Sequence, residues 1–542
     1  ARPAAARAER ARAHPPVEND ANGARELTAT DSNDGRLHLR VRSIAGEIPG
    51  EPLFERLFGE LEHAFWLDSA DAPTRLAQCS YLGTSAGEER QVLEYDVSAK
   101  VVTTHGEHGS SVESSSIFDV LDRELSARTI DSAEIATRGL IGGFVGYLGY
   151  ECKADCGSPN AHRSDVPDAV LMLANRIVAI DHVARRTDLI AVCRDGDQEA
   201  EKWLDQAEAV ARELLHAAPA QPPAQASAAA AGDLCSERVS FRCGRGREQY
   251  LADIARCQAA LAAGESYEVC LTDQISTEAS PEPFELYKLL RRTNPAPFAA
   301  YLKLGGLTVL SSSPERFLSV DRERRVQARP IKGTTPRSPD PVEDATLCAE
   351  LTSDEKTYAE HLMIVDLLRN DLGRVCEVDS VRVPELMVVE QYATVHQLIS
   401  TVTGVLENAR TPVQCVRACF PGGSMTGAPK LRTMDIIDAT ERVARGVYSG
   451  AIGYFGLDKS VDLSIVIRTI VMRPGATTIG AGGAIVMQSD PEEEFDEILL
   501  KARAPMSAIA QSITGSAARE AWSVELEPRL QSPDVDGAAR AA

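Results

Sequence analysis

Arg329-Pro330-Ile331-Lys332-Gly333-Thr334 closes a run of alternating segments that reads as antiparallel strands: 298–304, a Gly305-Gly306 turn, 307–311, 317–320 and 325–331. A glycine pair between two alternating segments marks a hairpin. Lys332 follows an apolar Pro-Ile pair and precedes a glycine, where the backbone can bend and another group can approach closely. Two readings stay open at this point: a solvated lysine at a strand end, or an amine presented to a site.

Working outward, the 542 residues leave room for several domains and a large core. Hydrophobic residues at 44% and charged residues at 25% are those of an ordinary globular protein. A formal charge of −23 argues against nucleic acid or an anionic membrane as partner, since either needs a basic face. No apolar run approaches the roughly 20 residues that span a bilayer. The 12 cysteines are scattered, and the pairs Cys152/Cys156 and Cys415/Cys419 have no second pair at zinc-site spacing. None lies in a Gly-x-Cys-x-Gly setting. They read as reduced thiols of a cytoplasmic protein. The first residue is Ala, which suggests a chain cut from a longer product.

Residues 1–45 are rich in Ala, Arg and Pro without periodicity and read as a tail or linker. An N-terminal domain follows over 46–215, with a helix at 53–65, a bent glycine-rich strand at 141–150, strands at 169–180 and 186–192, and a helix at 199–216. The low-complexity stretch 216–238 marks a linker. A second domain over 239–513 carries helices at 248–263, 353–372, 429–439 and 492–512 and a strand at 267–276. Thr352 and Glu355 are spaced as a capping box. Asp490-Pro491 supplies an N-cap and a first-turn proline. Residues 514–542 read as a flexible tail. The mixture of helices and antiparallel strands is α+β.

Several side chains stand where a bland reading strains. Glu360 shares a helical face with Met363, Ile364, Leu367 and Leu368. Glu494 and Glu497 lie beside the stripe of Phe495, Ile498 and Leu499, with Lys501 one turn on. A carboxylate on an apolar stripe must be paired, protonated or bound to metal. Two such acids from separate helices suit one Mg²⁺; salt bridges to Arg369 or Lys501 are the alternative. The cluster 421–430 (PGGSMTGAPK) opens a helix whose amides suit a carboxylate or phosphate, and a second glycine cluster spans 480–484. His396 reads as a strand residue, Glu315 as an exposed acid between strands. Arg468 closes an apolar strand, where a guanidinium suits a carboxylate.

Taken in order, GESYEVCL at 264, SSSPERF at 311, PIKGT at 330, AEHLMIVDLLRNDLGR at 359, TVHQLIS at 394, PGGSMTGAPK at 421, YSGAIGYFG at 448, IVIRT at 465, GAGGAI at 480 and DPEEEFDEILLKA at 490 resemble the chorismate-binding enzymes. That family includes anthranilate synthase large subunits, aminodeoxychorismate synthase component I, isochorismate synthases and salicylate synthases. The match runs from about 248 to 509. Residues 53–195, with FWLDS and GFVGYLGYE, resemble the N-terminal part of the amine-transferring members. The resemblance implies two interwoven lobes with packed antiparallel sheets, outer helices and a site between the sheets. It implies that Glu360, Glu497 and Glu494 hold Mg²⁺, and that Glu315 protonates a departing C4 hydroxyl. Tyr448, Arg468, Lys501, Thr334 and the amides around Gly482 and Gly483 would grip the carboxylates of chorismate, and His396 would be an active-site histidine.

Lysine in PIKGT resembles the aminodeoxychorismate synthase branch; anthranilate synthases carry a small residue there and form the alternative. The implied role of Lys332 is nucleophilic, adding at C2 before ammonia from a glutaminase partner or fused domain attacks C4. A nucleophilic amine must be neutral, so burial or a nearby cation is expected to lower its pKa. Glu268 stands where isochorismate-forming members carry a lysine base and many amine-transferring ones a glutamine. Ser69, with 294–298, resembles part of a tryptophan pocket; an apolar cluster without ligand is the alternative.

Overall fold

The structure, a computed structural model, describes residues 36–69, 76, 78–130, 139–217, 238–392 and 395–526. Most of the linker at 216–238, and of the two tails, therefore lies outside the described residues.

Four layers stack in the order helices, sheet, sheet, helices. Among the described residues the larger sheet has 14 strands and the smaller 12. Strands such as Ala169–Ala174 and Gly143–Leu148 are buried at every position, as expected when a sheet is covered on both faces. Between the sheets pack Phe65, Ile177 and Val309 from one side and Val145, Tyr147 and Ile452 from the other. Helices Gly50–Phe58, Gln198–His216, Gly246–Ala262 and Pro491–Thr514 cover the outer face of the larger sheet through Phe54, Leu204, Tyr250 and Ile498. Helices Ile117–Ser126, Glu355–Gly373 and Pro412–Cys419 cover the smaller one through Phe118, Ile364 and Val416. The expected α+β architecture of interwoven, packed antiparallel sheets is what the chain adopts.

Both halves of the sequence build both sheets. In the larger one, Phe298–Leu304 pairs antiparallel with His63–Asp68, Leu302 opposite Phe65. In the smaller one, Ala451–Gly456 pairs with Gly143–Leu148, Gly453 opposite Gly146. The strand segment from 298 to 336 is therefore not one meander. After Leu307–Ser313 the chain leaves the larger sheet, passes Pro314-Glu315 and enters the smaller one as Arg316–Val320. A second crossing lies beside it, where Val461–Ile465 belongs to the smaller sheet and Thr469–Arg473 to the larger. The two crossings are tied together: Ile465 N donates to Glu315 O at 3.0 Å, Ser312 N to Arg468 O at 3.2 Å, and Ser313 Oγ to Ile465 O at 2.6 Å.

Several boundaries differ from the sequence reading. Residues 36–45, grouped above with the tail, form the strand Arg36–Ala45 against Arg186–Cys193; its inward Leu37 and Leu39 supply the apolar face. At the other end, Trp522–Glu525 pairs in parallel with Val239–Cys243 instead of fraying. The helix at 53–65 stops at Phe58, and 63–68 is a strand. The helix expected from 353 begins at Glu355: Asp354 caps it by accepting from Thr357 N at 2.8 Å, while Thr352 lies in the preceding helix Pro341–Ser353. Asp490 does cap Pro491–Thr514, accepting from the amides of Glu492 and Glu493.

Candidate active site

Lys332 sits in Ile331–Pro336, an edge strand of the smaller sheet paired with Val395–Val405. The register slips between Ile331 and Thr334, so that Lys332 and Gly333 together oppose Leu398. This is a bulge, which re-aims a side chain out of the strand's alternation. Gly333 makes it possible: its φ is +84°, and a Cβ there would lie 2.7 Å from Thr357 Cγ2. The bulge turns Lys332 onto two acids, with Nζ 2.7 Å from Glu268 Oε1 and 3.7 Å from Glu360 Oε2. Glu268 opens the strand Glu268–Thr277 of the larger sheet and is fully buried. Burial works to strip the proton from Lys332, but the fields of Glu268 and Glu360 outweigh it and hold the amine above its usual range. Beside these two carboxylates alone, the amine does not show the lowered pKa expected for a nucleophile.

Glu315 is buried at the first sheet crossing, contrary to its reading as an exposed acid. Burial pushes its carboxyl up to about 7, against the opposing pull of the Ser424 hydroxyl and the Lys332 and Lys501 ammoniums. Ser424 Oγ donates to Glu315 Oε1 at 2.9 Å. Arg468 lies at the second crossing, in a bend with φ +52°, beyond the end of the apolar strand at Ile465. A left-handed arginine is uncommon. Burial lowers the pKa of its guanidinium, and the nearby Glu315 opposes that. An acid and a cation thus lie within electrostatic reach of each other where the chain changes sheets.

Glu360, on Glu355–Gly373, and Glu494 and Glu497, on Pro491–Thr514, surround the Lys356 ammonium, which feels all three. Lys356 Nζ is 3.3 Å from Glu494 Oε1, and Glu497 Oε1 is 2.6 Å from Lys501 Nζ. Desolvation raises the Glu360 carboxyl in spite of Lys332; for Glu497 desolvation is outweighed by Lys501, and its pKa falls. Among the described residues no three acidic, histidine or cysteine side chains converge as a metal cage. Glu494 Oε2 is nonetheless buried without a partner, and a set of hard carboxylate oxygens with one oxygen to spare fits a hard dication that also takes substrate oxygens.

The other expected groups fall in three places. Lys501 Nζ donates to Gly482 O at 2.9 Å, and Gly482 and Gly483 lie inside the strand Ala476–Ile485, paired with Thr272 and Leu271. Tyr448 is buried against Gly480, where a Cβ would come within 2.0 Å of the ring. Thr334 points to solvent. His396 is fully buried and meets Asp344 Oδ1 at 2.9 Å through Nε2, on the side of the strand held by Arg337 and helix Pro341–Ser353. Ser69 donates to Cys79 O at 2.7 Å and lines a cavity of about 70 Å³ with Leu67, Tyr81, Phe298 and Tyr454.

The 421–430 cluster behaves differently from an anion-binding helix start. Lys430 is buried, pairs with Asp371, and donates to Cys419 O at 2.7 Å and Pro421 O at 2.8 Å. The lysine closes the loop on itself, and the loop's product is the placement of Ser424. Sequence reading singled out neither Ser424 nor Lys356, because both act on partners that only the fold brings near.

The sequence profile of the chorismate binding enzyme family matches residues 62–507. An aminodeoxychorismate synthase of Streptomyces griseus is 44% identical over 506 residues, which are 93% of this chain and 69% of that protein. An anthranilate synthase component 1 of Streptomyces coelicolor is 39% identical over 381 residues, 68% of this chain and 73% of that one. Among solved structures, anthranilate synthase component I of Streptococcus pneumoniae superposes with a TM-score of 0.66 at 27% identity, over 80% of this chain and 93% of that chain. With its acids, Lys332 and Arg468 gathered where two interleaved sheets meet, and with most of its length matched, this chain is an enzyme that belongs to the chorismate-binding family.

Proposed function

We propose that the chain aminates chorismate at C4, giving 4-amino-4-deoxychorismate, with water as the other product. The observation that carries this reading is the part-buried Lys332 amine, turned by a bulge into the site beside Glu268 and Glu360. Likeness over 93% of the chain to an aminodeoxychorismate synthase points the same way.

Lys332 must first lose a proton, and Glu268 is the base placed to take it, 2.7 Å away with its second oxygen unpartnered. The amine then forms a bond to C2 while the ring double bonds shift and the C4–O bond breaks. Glu315, half protonated near neutrality, supplies the proton that lets the oxygen leave as water. Ammonia next bonds to C4, the double bonds shift back, and the C2–N bond breaks to free Lys332. Arg468, Lys501 and the Gly482-Gly483 segment hold the substrate's carboxylates. Mg²⁺ on Glu360, Glu494 and Glu497 would neutralise the ring carboxylate and anchor the ring.

The ammonia would come from glutamine through a glutaminase on a partner chain or a further domain. The product suits 4-aminobenzoate and folate synthesis or a related aromatic amine. The eleven described cysteines are free thiols, in keeping with the reducing cytoplasm, and no described helix is long and apolar enough to cross a membrane. The resemblance around Ser69 carries a tryptophan pocket as part of this proposal, and the cavity there, about 70 Å³, would have to widen to admit an indole ring.

The test is incubation with chorismate, Mg²⁺ and an ammonium salt at mildly alkaline pH, with products identified by mass. Aminodeoxychorismate without pyruvate supports the proposal. Anthranilate plus pyruvate would assign the chain to the alternative branch and remove Lys332 as the discriminator. No turnover, even with a glutaminase added, would leave a chorismate-binding scaffold.

A further inference from the structure

We propose that Ser424 is the positioning residue of the general acid, setting which oxygen of Glu315 carries the transferable proton. The inference rests on the reading of Glu315 as that acid.

The main chain of Glu315 is fixed from two sides. Its carbonyl accepts from Ile465 N at 3.0 Å, and its amide donates to Ser313 Oγ at 3.3 Å. The side chain is then oriented by the Ser424 hydroxyl, which donates to Oε1 at 2.9 Å. A protonated carboxyl has one O–H donor and one better acceptor oxygen. An oxygen already accepting from Ser424 is the carbonyl-like one, so the proton resides on Oε2. Oε2 is the oxygen that the Ser424 hydroxyl does not occupy.

Ser424 can do this because its own loop is rigidly held. The turn Gly423–Met425 carries it. On one side the Lys430 ammonium grips Cys419 O and Pro421 O and is neutralised by Asp371. On the other, Arg445 Nη1 donates to Met425 O at 2.7 Å, its charge met by Glu441. Thr426 Oγ1 closes the turn on Gly422 O at 3.3 Å and Gly423 O at 3.2 Å. Two buried cations thus spend their donors on the loop's carbonyls, and the outcome is one hydroxyl at a defined place. Functional groups held this way lose little to reorganisation.

The groups that set the charge on Glu315 are the ammoniums of Lys332 and Lys501 and the Arg468 guanidinium, together with the Ile331 backbone amide and Ser424. The serine hydroxyl favours the ionised form, so its loss moves the acid upward in pH.

The test compares Ser424→Ala and Ser424→Thr with the parent chain. Ammonia-driven turnover is followed across pH with free ammonia held constant. Ser424→Ala is expected to lower kcat about tenfold or more. It should also raise the pH at which the alkaline limb of kcat/KM falls, by about one unit. Ser424→Thr, which keeps the hydroxyl, should restore both. A loss of kcat with an unmoved limb would overturn the proposal, as would an unchanged kcat. A limb that moves down would do the same. Melting temperatures identify a variant that has simply lost its fold, and the behaviour of Ser424→Thr then decides. Glu315→Gln is the separate control: full turnover there defeats the acid reading itself, whatever Ser424 does.

Discussion

Replacing Glu315 by glutamine should cost activity and raise stability at the same time. Glutamine matches the shape, and its carbonyl oxygen can still accept the Ser424 hydroxyl, so the surrounding geometry holds. What disappears is the transferable proton, and loss of a general acid lowers kcat by about 10² to 10⁴, roughly 3–5 kcal/mol of barrier. Stability moves the other way. Burial raises the Glu315 carboxyl from 4.5 to about 7, with Ser424 and Lys332 opposing. Because the folded pKa exceeds the unfolded one, the contribution of this group is complete below pH 4.5 and is lost as the pH rises through about 7. The difference, about 7 less 4.5, is worth about 3 kcal/mol at 1.36 kcal/mol per unit. Glutamine never ionises and escapes that loss. Glu315→Gln should therefore melt with the parent near pH 4.5 and above it near neutrality and beyond, while turning over chorismate at a small fraction of the parent rate. Melting temperature as a function of pH, beside ammonia-dependent turnover, reads both. A stability difference that stays flat across this range would refute the burial argument, and retained turnover would refute the role.

Lys332→Ala should abolish amination and leave the fully buried Glu268 without its 2.7 Å partner, a loss of about 3–5 kcal/mol. Adding Glu268→Gln should recover part of that stability and none of the activity, as melting curves and product masses will show. Glu360→Gln should raise the Mg²⁺ needed for half-maximal turnover by about tenfold or more; an unchanged Mg²⁺ titration would remove Glu360 from the metal set. Gly480→Ala places a methyl 2.0 Å from Tyr448 Cγ, so the ring must shift at a cost of about 1–3 kcal/mol. Its KM for chorismate should rise, and a variant that melts and binds like the parent would mean that Tyr448 does not contact substrate.

What could be read ahead of the fold was whatever is local. Asp490-Pro491 announced a helix start, and that helix begins there with Asp490 as its cap. The alternating segments between 298 and 336 are strands at nearly the expected residues. Alternation reports which face a residue shows, not which strand lies beside it, so the change of sheet at Pro314-Glu315 left no trace in the pattern. The same limit hid the bend at Arg468, since an apolar run such as 463–467 looks alike whether it ends in a sheet or crosses to another. The strand Arg36–Ala45 did carry a period-two signal in Leu37, Leu39 and Val41, but the composition of the preceding tail obscured it. The raised pKa of Lys332 is out of reach of the sequence for a related reason: the two carboxylates that outweigh its burial come from a distant strand and helix.

The alternation of early and late strands within each sheet has a consequence for synthesis. When the ribosome has reached residue 217, His63–Asp68 and Gly143–Leu148 each lack a neighbour, because their partners are Phe298–Leu304 and Ala451–Gly456. Gly143–Leu148 is buried at every position in the finished protein. The nascent first half thus offers two apolar, open strand edges, which are templates for pairing with other chains, and it keeps the second edge open until residue 456 has emerged. Closing both sheets is slow, since pairings between such distant segments must find each other. Expression of this chain should depend on what shields those edges in the interval, and severing the gene at its apparent midpoint would make the exposure permanent.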